Sequence, residues 1–310
     1  RSIPGDPTTW YVGGADGGIF KTTNGGVSFE ALFTDQKAFS IGAITIAPSD
    51  KEVVWVGTGE GDPRNSVGYG NGVYRSTDGG KSWSHLGLER TDRIKRIAVH
   101  PSNPDVACVC ALGKEWGPNA DRGVFQTRDG GKSWKKVLYL DENTGCSDIA
   151  IEWNNPRVLY AGMWTFRRKP WRFDDGGGKT GLYKSVDGGD TWTKISHQGG
   201  LPDKPMARIG VSIFNADRVA GMNHLPDDAD VVGNAQRSAF DTERGTRDDF
   251  VPFAIPNEDA RAVTVEQLRR RASDRFEQRR CVGRTGERRG DRQRVPQLVG
   301  SASLLRQPFA

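Results

Sequence analysis

The chain has 310 residues, of which 40 are Gly, 16 Pro and 9 Trp, and only 35% are hydrophobic. Glycine at roughly twice its usual share argues against a helical bundle, because each interior Gly costs a helix about 1 kcal/mol. No apolar run is long enough for a membrane-spanning helix. The formal net charge is +5, but all nine Trp and all six Tyr precede residue 218, whereas 17 Arg and no Lys follow residue 217. We therefore predict an all-β protein that is joined near residue 217 to a segment of different composition.

An eight-residue pattern, Ser/Thr-x-Asp/Asn-Gly-Gly-x-Ser/Thr-Trp/Phe, occurs four times before residue 217, at intervals of 54, 51 and 58 residues. The Asp or Asn accepts hydrogen bonds from nearby backbone N–H groups and the Gly-Gly pair supplies positive φ, so each copy predicts a hairpin turn. We interpret the acid and the closing aromatic of each copy as structural, since an active site does not recur four times. These positions are Asn24, Phe29, Asp78, Trp83, Asp129, Trp134, Asp187 and Trp192.

Two further strands precede the strand that leads into each turn. Residues 44–47, 97–100, 149–151 and 209–211 each end in a polar corner, and a second apolar segment follows at 53–56, 106–109 and 158–161. Each repeat therefore predicts four antiparallel strands, A to D, which is the unit of a β-propeller blade. The first blade is expected to lack strand A, and residues 209–220 are expected to begin a fifth blade. The predicted fold is an all-β propeller of about four blades, truncated as it stands.

The repeated pattern resembles the Asp-box, or bacterial neuraminidase repeat. The amino-acid sequence of residues 56–66 and 111–118 is similar to that of the bacterial sortilin-like propeller proteins, many of which are labelled glycosyl hydrolases. The resemblance covers residues 8 to about 217. It implies a propeller fold and a secreted, periplasmic or cell-surface location. It leaves the activity open, because Asp-box propellers include sialidases, xyloglucanases, sorting receptors and photosystem assembly factors.

Strands B and C are joined by long connections rich in aromatic and charged residues. Blade geometry predicts that these connections share one face with the D–A links, opposite the Asp-box turns. Flat aromatics suit sugar rings or peptide side chains, and arginine forks suit carboxylates. The alternative is that the aromatics only anchor the loops while the charges are solvated. The candidate ligand-binding residues are Arg64, Tyr69, Trp116, Arg122, Arg168 and Trp171.

Three carboxylates in the same connections, Glu60, Asp62 and Glu115, are weak catalytic candidates. Glycoside hydrolysis needs two carboxylates at a defined separation, which the sequence does not fix. The leading hypothesis is an extracytoplasmic recognition module for a glycan or a peptide. The alternatives are a glycoside hydrolase-like enzyme of the sialidase or xyloglucanase type, and a non-catalytic scaffold. No signal peptide is visible, so secretion rests on the resemblance.

Other chemistries find little support in the sequence. The four His are far apart, which predicts no metal site, and no phosphate-binding loop is present, so no cofactor is expected. Cys108 and Cys110 are predicted strand positions, and a disulfide from either one to Cys146 is left open, as is the state of Cys281.

Residues 218–310 form an Arg-rich tail that is not predicted to be a blade. Three interpretations are open: a basic appendage, a disordered tail or an out-of-frame translation. The lack of aromatics among its Arg residues argues against nucleic acid as a partner. An unclosed ring of blades would leave an open blade edge, through which we expect self-association.

Overall fold

The structure is a computed structural model, and it describes residues 1–196, 206–215, 218–223 and 251–256. The first four repeats each fold into an antiparallel sheet, whose main strands follow one another in chain order. We call these sheets blades 1 to 4. Blade 1 comprises β1 (Ser2–Ile3), β2 (Asp6–Gly13), β3 (Ile19–Thr22) and β4 (Glu30–Ala31), and blade 2 comprises β5 (Ile41–Ala47), β6 (Asp50–Thr58), β7 (Val73–Ser76) and β8 (Ser84–His85).

Blades 3 and 4 repeat this order. Blade 3 comprises β9 (Ile94–His100), β10 (Asn103–Ala111), β11 (Gly123–Thr127) and β12 (Lys135–Leu138), and blade 4 comprises β13 (Thr144–Ile151), β14 (Leu159–Lys169), β15 (Arg172–Asp175), β16 (Gly181–Ser185) and β17 (Thr193–Lys194). Strand β15 is an addition that pairs with the far end of the long β14. A 3-10 turn, Glu89–Thr91, precedes blade 3.

The sequence predicts a first blade without strand A, but the two-residue strand β1 occupies that place beside β2. A fifth sheet begins with β18 (Ile209–Asn215) and β19 (Arg218–Asn223), and β20 (Val251–Pro256) pairs with β19. Strand pairing therefore continues past the boundary predicted at residue 217. Apart from β19 and β20, the predictions for the Arg-rich tail fall outside the described residues, as does Cys281.

The hydrophobic core is divided into layers that lie between consecutive blades. The layer between blades 2 and 3 contains Trp55, Ile94 and Val109, each almost fully buried. The layer between blades 3 and 4 contains Cys108, Ile149 and other apolar side chains from both sheets. Further layers lie between blades 1 and 2 and between blade 4 and β18. This face-to-face succession of four-stranded sheets is the architecture of a β-propeller.

The four repeat turns join the third and fourth strands of their blades. In the turn of blade 3, the carboxylate of Asp129 accepts hydrogen bonds from the backbone N–H of Ser133 at 2.9 Å and from its hydroxyl at 2.5 Å. Both glycines of every turn have positive φ, as the pattern predicts. The indole Nε1–H of Trp134 reaches back to the carbonyl of Leu86 in blade 2, at 2.7 Å. Trp83 likewise donates to the carbonyl of Leu32 in blade 1, at 2.8 Å, so these two turn aromatics tie their blade to the one before it.

The connections divide between the two ends of the blades. At one end, which we call the turn end, each repeat turn lies beside the corner between the first two strands, as in the 3.0 Å hydrogen bond from Gly130 N–H to the carbonyl of Asp105. At the other end, the B–C connections meet the links between blades, as in the 2.8 Å hydrogen bond from Gly70 N–H to the carbonyl of Asp92. We call this second end the loop face. Among the described residues no helix is long and apolar enough to cross a membrane.

Candidate functional site

The loop face is built by residues 59–72 of blade 2, residues 112–122 of blade 3 and the β14–β15 hairpin of blade 4. These segments contact the inter-blade links closely. A Cβ added to Gly59 would lie 2.2 Å from the carbonyl oxygen of Asp92, and Gly59 itself has φ +89°, so only glycine fits there. Asn119 N–H donates to the carbonyl of Glu142 in the next link, at 2.9 Å. The loops are therefore held in place by backbone hydrogen bonds.

Three of the predicted ligand-binding aromatics are exposed on this face. Tyr69 is 63% exposed, Trp116 42% and Trp171 76%, and each comes from a different blade. Two other aromatics of the same connections are buried instead. The rings of Trp164 and Phe166 stack at 4.4 Å and form a small core beneath the hairpin. The loop aromatics thus divide into an anchoring pair and an accessible set.

The β14–β15 hairpin extends across the loop face toward the other blades. The backbone N–H of Arg168 donates to the carbonyl of Glu115 in blade 3, at 3.2 Å. The guanidinium of Arg168 donates to the side-chain oxygen of Asn65 in blade 2. Arg64, in the same blade 2 loop, is partly exposed and is paired with Glu60. Arg168 therefore joins the loops of three blades, while its half-buried side chain remains at the surface.

Arg122 has a different environment from the one that the sequence suggests. Its side chain is fully buried, and its guanidinium donates to the carbonyls of Leu112 and Lys114 at 2.8 and 2.6 Å. It also lies 4.7 Å from the centre of the Phe166 ring. Burial lowers the pKa of Arg122 to about 9, and the neighbouring Arg93 acts in the same direction. Arg122 holds its own loop together, and its side chain is not part of the accessible surface.

Glu115 is buried beneath the hairpin and forms an ion pair with the equally buried Arg93. Arg93 lies on the link between blades 2 and 3, and its Nε also donates to the carbonyl of Gly113 at 2.7 Å. Burial raises the pKa of Glu115, although Arg93 opposes the rise. One carboxylate oxygen of Glu115, Oε1, has no hydrogen-bond partner among the described residues. The pair occupies the interior of the loop face rather than its surface.

Glu60 and Asp62 lie nearer to solvent. Glu60 accepts two hydrogen bonds from the guanidinium of Arg64, at 2.5 and 2.7 Å, and its side chain is 14% exposed. The side chain of Asp62 is 67% exposed, and its Oδ1 atom lies 2.7 Å from both Lys95 Nζ and Arg208 Nη2. Burial acts to raise the pKa of Asp62, but Lys95 and Arg208 together hold it below its ordinary value. Asp62 is the most exposed carboxylate of the three.

Three of the cations that pair with these carboxylates were not identified from the sequence. Arg93 and Lys95 flank the start of β9, and Arg208 comes just before β18, so all three belong to inter-blade links or first strands. They lie outside the B–C connections, from which the site residues are predicted, although the D–A links are predicted to share the same face. The sequence did contain a signal for these three cations, namely a basic residue that recurs beside the first strand of a blade. The described residues contain no cluster of three potential metal ligands.

Comparison with known sequences identifies relatives of the blades. The family model for sortilin (neurotensin receptor 3), Sortilin-Vps10, matches residues 71–200. A probable oligoxyloglucan-reducing end-specific xyloglucanase of Neosartorya fischeri is 26% identical over 158 residues, covering 49% of this chain and 18% of the relative. A xyloglucanase of Acetivibrio thermocellus is 28% identical over 153 residues, covering 44% of this chain and 17% of the relative. The chain thus spans less than a fifth of these curated relatives.

Comparison with solved structures supports the same fold. An ancestral GH74 enzyme matches with a TM-score of 0.53 at 20% identity, covering 72% of this chain and 27% of that protein. A GH74 enzyme of Niastella koreensis matches with a TM-score of 0.50 at 16% identity, covering 72% and 35% of the two chains. At these identities the likeness concerns the fold alone.

Proposed function

Because the chain is a sortilin-like β-propeller, we propose that it works as a glycoside hydrolase-like propeller whose loop face binds a polysaccharide of the xyloglucan type. The observation that carries the proposal is the set of three exposed aromatics, Tyr69, Trp116 and Trp171, which three successive blades present on one face. Flat aromatic side chains combine a large apolar surface with a polar edge, and they stack on the apolar faces of sugar rings. A row of such residues suits an extended chain of sugars.

The relatives favour this proposal over the recognition module that the sequence alone suggested first. Both curated relatives are named as xyloglucanases, and they match about half of this chain. Arg64 and Arg168, which are partly exposed beside the aromatics, would then donate hydrogen bonds to sugar hydroxyls at the edge of the site.

We assign the contact with the reacting bond to Asp62. Of the three candidate carboxylates, solvent reaches Asp62 most freely, whereas Glu60 is held by Arg64 and Glu115 is buried. Lys95 and Arg208 keep Asp62 ionised, which suits a general base that accepts a proton from the attacking water and does not suit the acid that protonates the leaving oxygen. Glu60 and Glu115 are assigned a positioning role through their arginine partners. The leaving oxygen then takes its proton from solvent water, and Asp62 releases the proton that it accepted to the hydroxide so formed.

An extracytoplasmic location follows from the same proposal. Cys110 and Cys146 form a disulfide between blades 3 and 4. Disulfides persist in oxidising compartments and are rare in the cytosol. This observation agrees with the location that the family resemblance implies.

The proposal is tested by binding and turnover assays on the full chain. Affinity electrophoresis in gels that contain xyloglucan measures binding, and release of reducing ends measures hydrolysis. Trp116→Ala and Trp171→Ala are expected to lose most of the binding. Trp153→Ala is the matched control, because Trp153 is 63% exposed but follows β13 at the turn end. Loss of binding in the control as well, or no binding by the unaltered chain, would refute the proposal.

The role of Asp62 is tested separately with Asp62→Asn. If Asp62 is the base, this variant still binds xyloglucan but loses hydrolysis by about a hundredfold or more. If the unaltered chain binds xyloglucan without releasing reducing ends, the recognition hypothesis replaces the hydrolase and the loop face remains the binding surface.

A further inference from the structure

One position in the second strand of each blade holds an aromatic residue in blades 1, 2 and 4 and a cysteine in blade 3. The aromatic is paired across the sheet with a cation from the third strand, and the cation lies over its ring. In blade 2, the guanidinium of Arg75 lies 5.0 Å from the centre of the Trp55 ring. In blade 3 the equivalent pair is Cys108 and Gln126. The other two pairs are Tyr11 with Lys21, at 5.2 Å, and Tyr160 with Lys184, at 5.6 Å.

The loss of the ring leaves a cavity between blades 3 and 4. The cavity has a volume of about 210 Å³ and opens at the turn end, opposite the loop face. Cys108 and the apolar residues Ala98, Ile151 and Leu159 line it, together with the polar His100, Gln126, Arg128 and Arg157. A dry cavity of about 150 Å³ is enough to hold benzene. The space that an aromatic side chain fills in the neighbouring layers is therefore available to a ring from outside the chain.

The layer between blades 2 and 3 and the layer between blades 3 and 4 also differ in the sign of one charge. It belongs to the residue whose carbonyl accepts from the repeat turn. Between blades 2 and 3, Arg75 forms a 2.6 Å ion pair with Asp105, and the carbonyl of Asp105 accepts from the next repeat turn. Between blades 3 and 4, the equivalent hydrogen bond runs from Gly188 N–H in the turn to the carbonyl of Arg157. An acid has thus been replaced by an exposed arginine. Within the described part of the chain, Arg157 forms no ion pair.

The other arginine of the cavity is already paired. Arg128 donates to the carboxylate of Asp190, at 2.9 Å, and to the side chain of Gln126, at 3.1 Å. Burial raises the pKa of the Cys108 thiol to about 11, so this side chain is neutral and does not repel an anion. The cavity therefore combines an apolar, uncharged interior with one unpaired cation at its edge.

We propose that this cavity binds a small aromatic carboxylate, with the ring between the blades and the carboxylate on the guanidinium of Arg157. The ring takes the place that Trp55 occupies in the neighbouring layer. Arg157 stands where Asp105 stands in that layer, so the carboxylate takes the place of the Arg75 guanidinium as its partner of opposite charge. Arginine binds carboxylates with paired, charge-assisted hydrogen bonds, which makes the anion a specific requirement. The site is independent of the loop face and of the proposed polysaccharide.

The probe is benzoate, with benzamide as its uncharged counterpart, and binding to the full chain is followed by ligand-observed NMR. Benzoate is expected to bind about tenfold more tightly than benzamide, since only the carboxylate forms charge-assisted hydrogen bonds with the Arg157 guanidinium. Arg157→Glu is expected to remove this preference. Because Arg157 is exposed, this variant should fold normally, and its xyloglucan binding serves as the control for an intact loop face.

Filling the cavity provides the second test. Cys108→Trp restores the residue of blade 2 and is expected to abolish binding of both probes. Should that variant fail to fold, the alkylation rate of the Cys108 peptide in the unaltered protein, measured by mass spectrometry, replaces it. Saturating benzoate is expected to slow this alkylation. Equal binding of benzoate and benzamide, benzoate binding that survives Arg157→Glu, or alkylation of Cys108 unaffected by benzoate would each overturn the proposal.

Discussion

Cys110 in β10 and Cys146 in β13 form a disulfide that joins the second strand of blade 3 to the first strand of blade 4. The position of Cys110 is glycine in the neighbouring blades. A Cβ added to Gly57 in blade 2 would lie 2.4 Å from a methyl carbon of Ile94, which occupies the place of Cys146. The two strands approach so closely here that only glycine, or a pair of bonded cysteines, fits between them. The disulfide therefore bridges a close contact between two blades.

We predict that removing this disulfide destabilises the contact between blades 3 and 4. The bond closes a segment with a sequence separation of 36 residues, and a loop of that size corresponds to about 3–4 kcal/mol in the chain-entropy model. Cys110→Ser combined with Cys146→Ser is expected to lower the free energy of unfolding by that amount, measured by urea denaturation. Cys108→Ser is the control, because Cys108 forms no disulfide. An equal loss in the control would mean that cavity packing, and not the bond, explains the effect.

The indole of Trp134 gives a second prediction. Its Nε1–H donates to Leu86 of the preceding blade, and its ring meets Trp55 edge-on at 6.3 Å. Trp134→Phe removes the donor and leaves the Leu86 carbonyl without it, which is expected to lower the free energy of unfolding by about 1–3 kcal/mol.

Trp192→Phe is the comparison for this prediction, since the indole of Trp192 donates within its own turn, to Gly189, at 3.0 Å. Its loss is expected to be smaller because no contact between blades is broken. Urea denaturation of both variants measures the difference. Equal stability of Trp134→Phe and the unaltered protein would show that the hydrogen bond between blades contributes nothing.

The repeat made the blades predictable. Four copies of one turn at near-constant spacing fix the position of every strand relative to it, and the alternation of apolar residues identifies the strands themselves. The division of connections between two ends follows from the antiparallel order. The hairpin at β15 was not predictable in this way, because blade 4 alone contains it and no second copy reveals its register.

The interior of the loop face was predictable only in part. The aromatics at 69, 116 and 171 were identified as accessible, but nothing in their spacing separates them from Trp164, which is buried. The burial of Arg122 and Glu115 could not be read from the sequence either. Both depend on Arg93, on Phe166 and on a hairpin that lies over them, and these come from the link before blade 3 and from blade 4. Charged residues in a loop are usually solvated, so only the three-dimensional arrangement identifies this exception.

The turn carboxylates predict a dependence of stability on acid pH. Hydrogen bonds from the side chain and then the backbone of Ser133 lower the pKa of Asp129 to about 2, from an ordinary value of 3.8. A carboxylate whose folded pKa is lowered contributes stability above its unfolded pKa and loses that contribution as the pH falls through the folded value. The contribution of Asp129 should therefore be complete above about pH 4 and should vanish near pH 2.

Asp129→Asn tests this prediction, because the amide does not ionise. Asn24 holds the equivalent position in blade 1 and accepts from Ser28 N–H at 3.0 Å, so an amide fits the turn. The melting temperature of the variant is expected to lie below that of the unaltered protein at pH 6, and the gap should close between pH 4 and 2. A gap that stays constant over this range would mean that ionisation of Asp129 does not stabilise the turn.

The buried pair of Glu115 and Arg93 gives the last prediction. Both side chains have no exposed surface, so Glu115→Leu removes the close counter-charge of a buried guanidinium and leaves it the more distant carboxylate of Asp92, whose Oδ2 lies 3.9 Å from Arg93 Nε. Breaking a buried ion pair in this way costs about 3–5 kcal/mol, whereas replacing both partners by apolar residues of similar size is often close to neutral. Glu115→Leu is therefore expected to destabilise the protein strongly, and the double variant with Arg93→Met is expected to recover most of the loss.

Asp62→Asn, at an exposed pair, should change the free energy of unfolding by less than about 1 kcal/mol. If Glu115→Gln instead keeps full stability while xyloglucan hydrolysis disappears, Glu115 is a catalytic residue and its assignment to positioning is wrong.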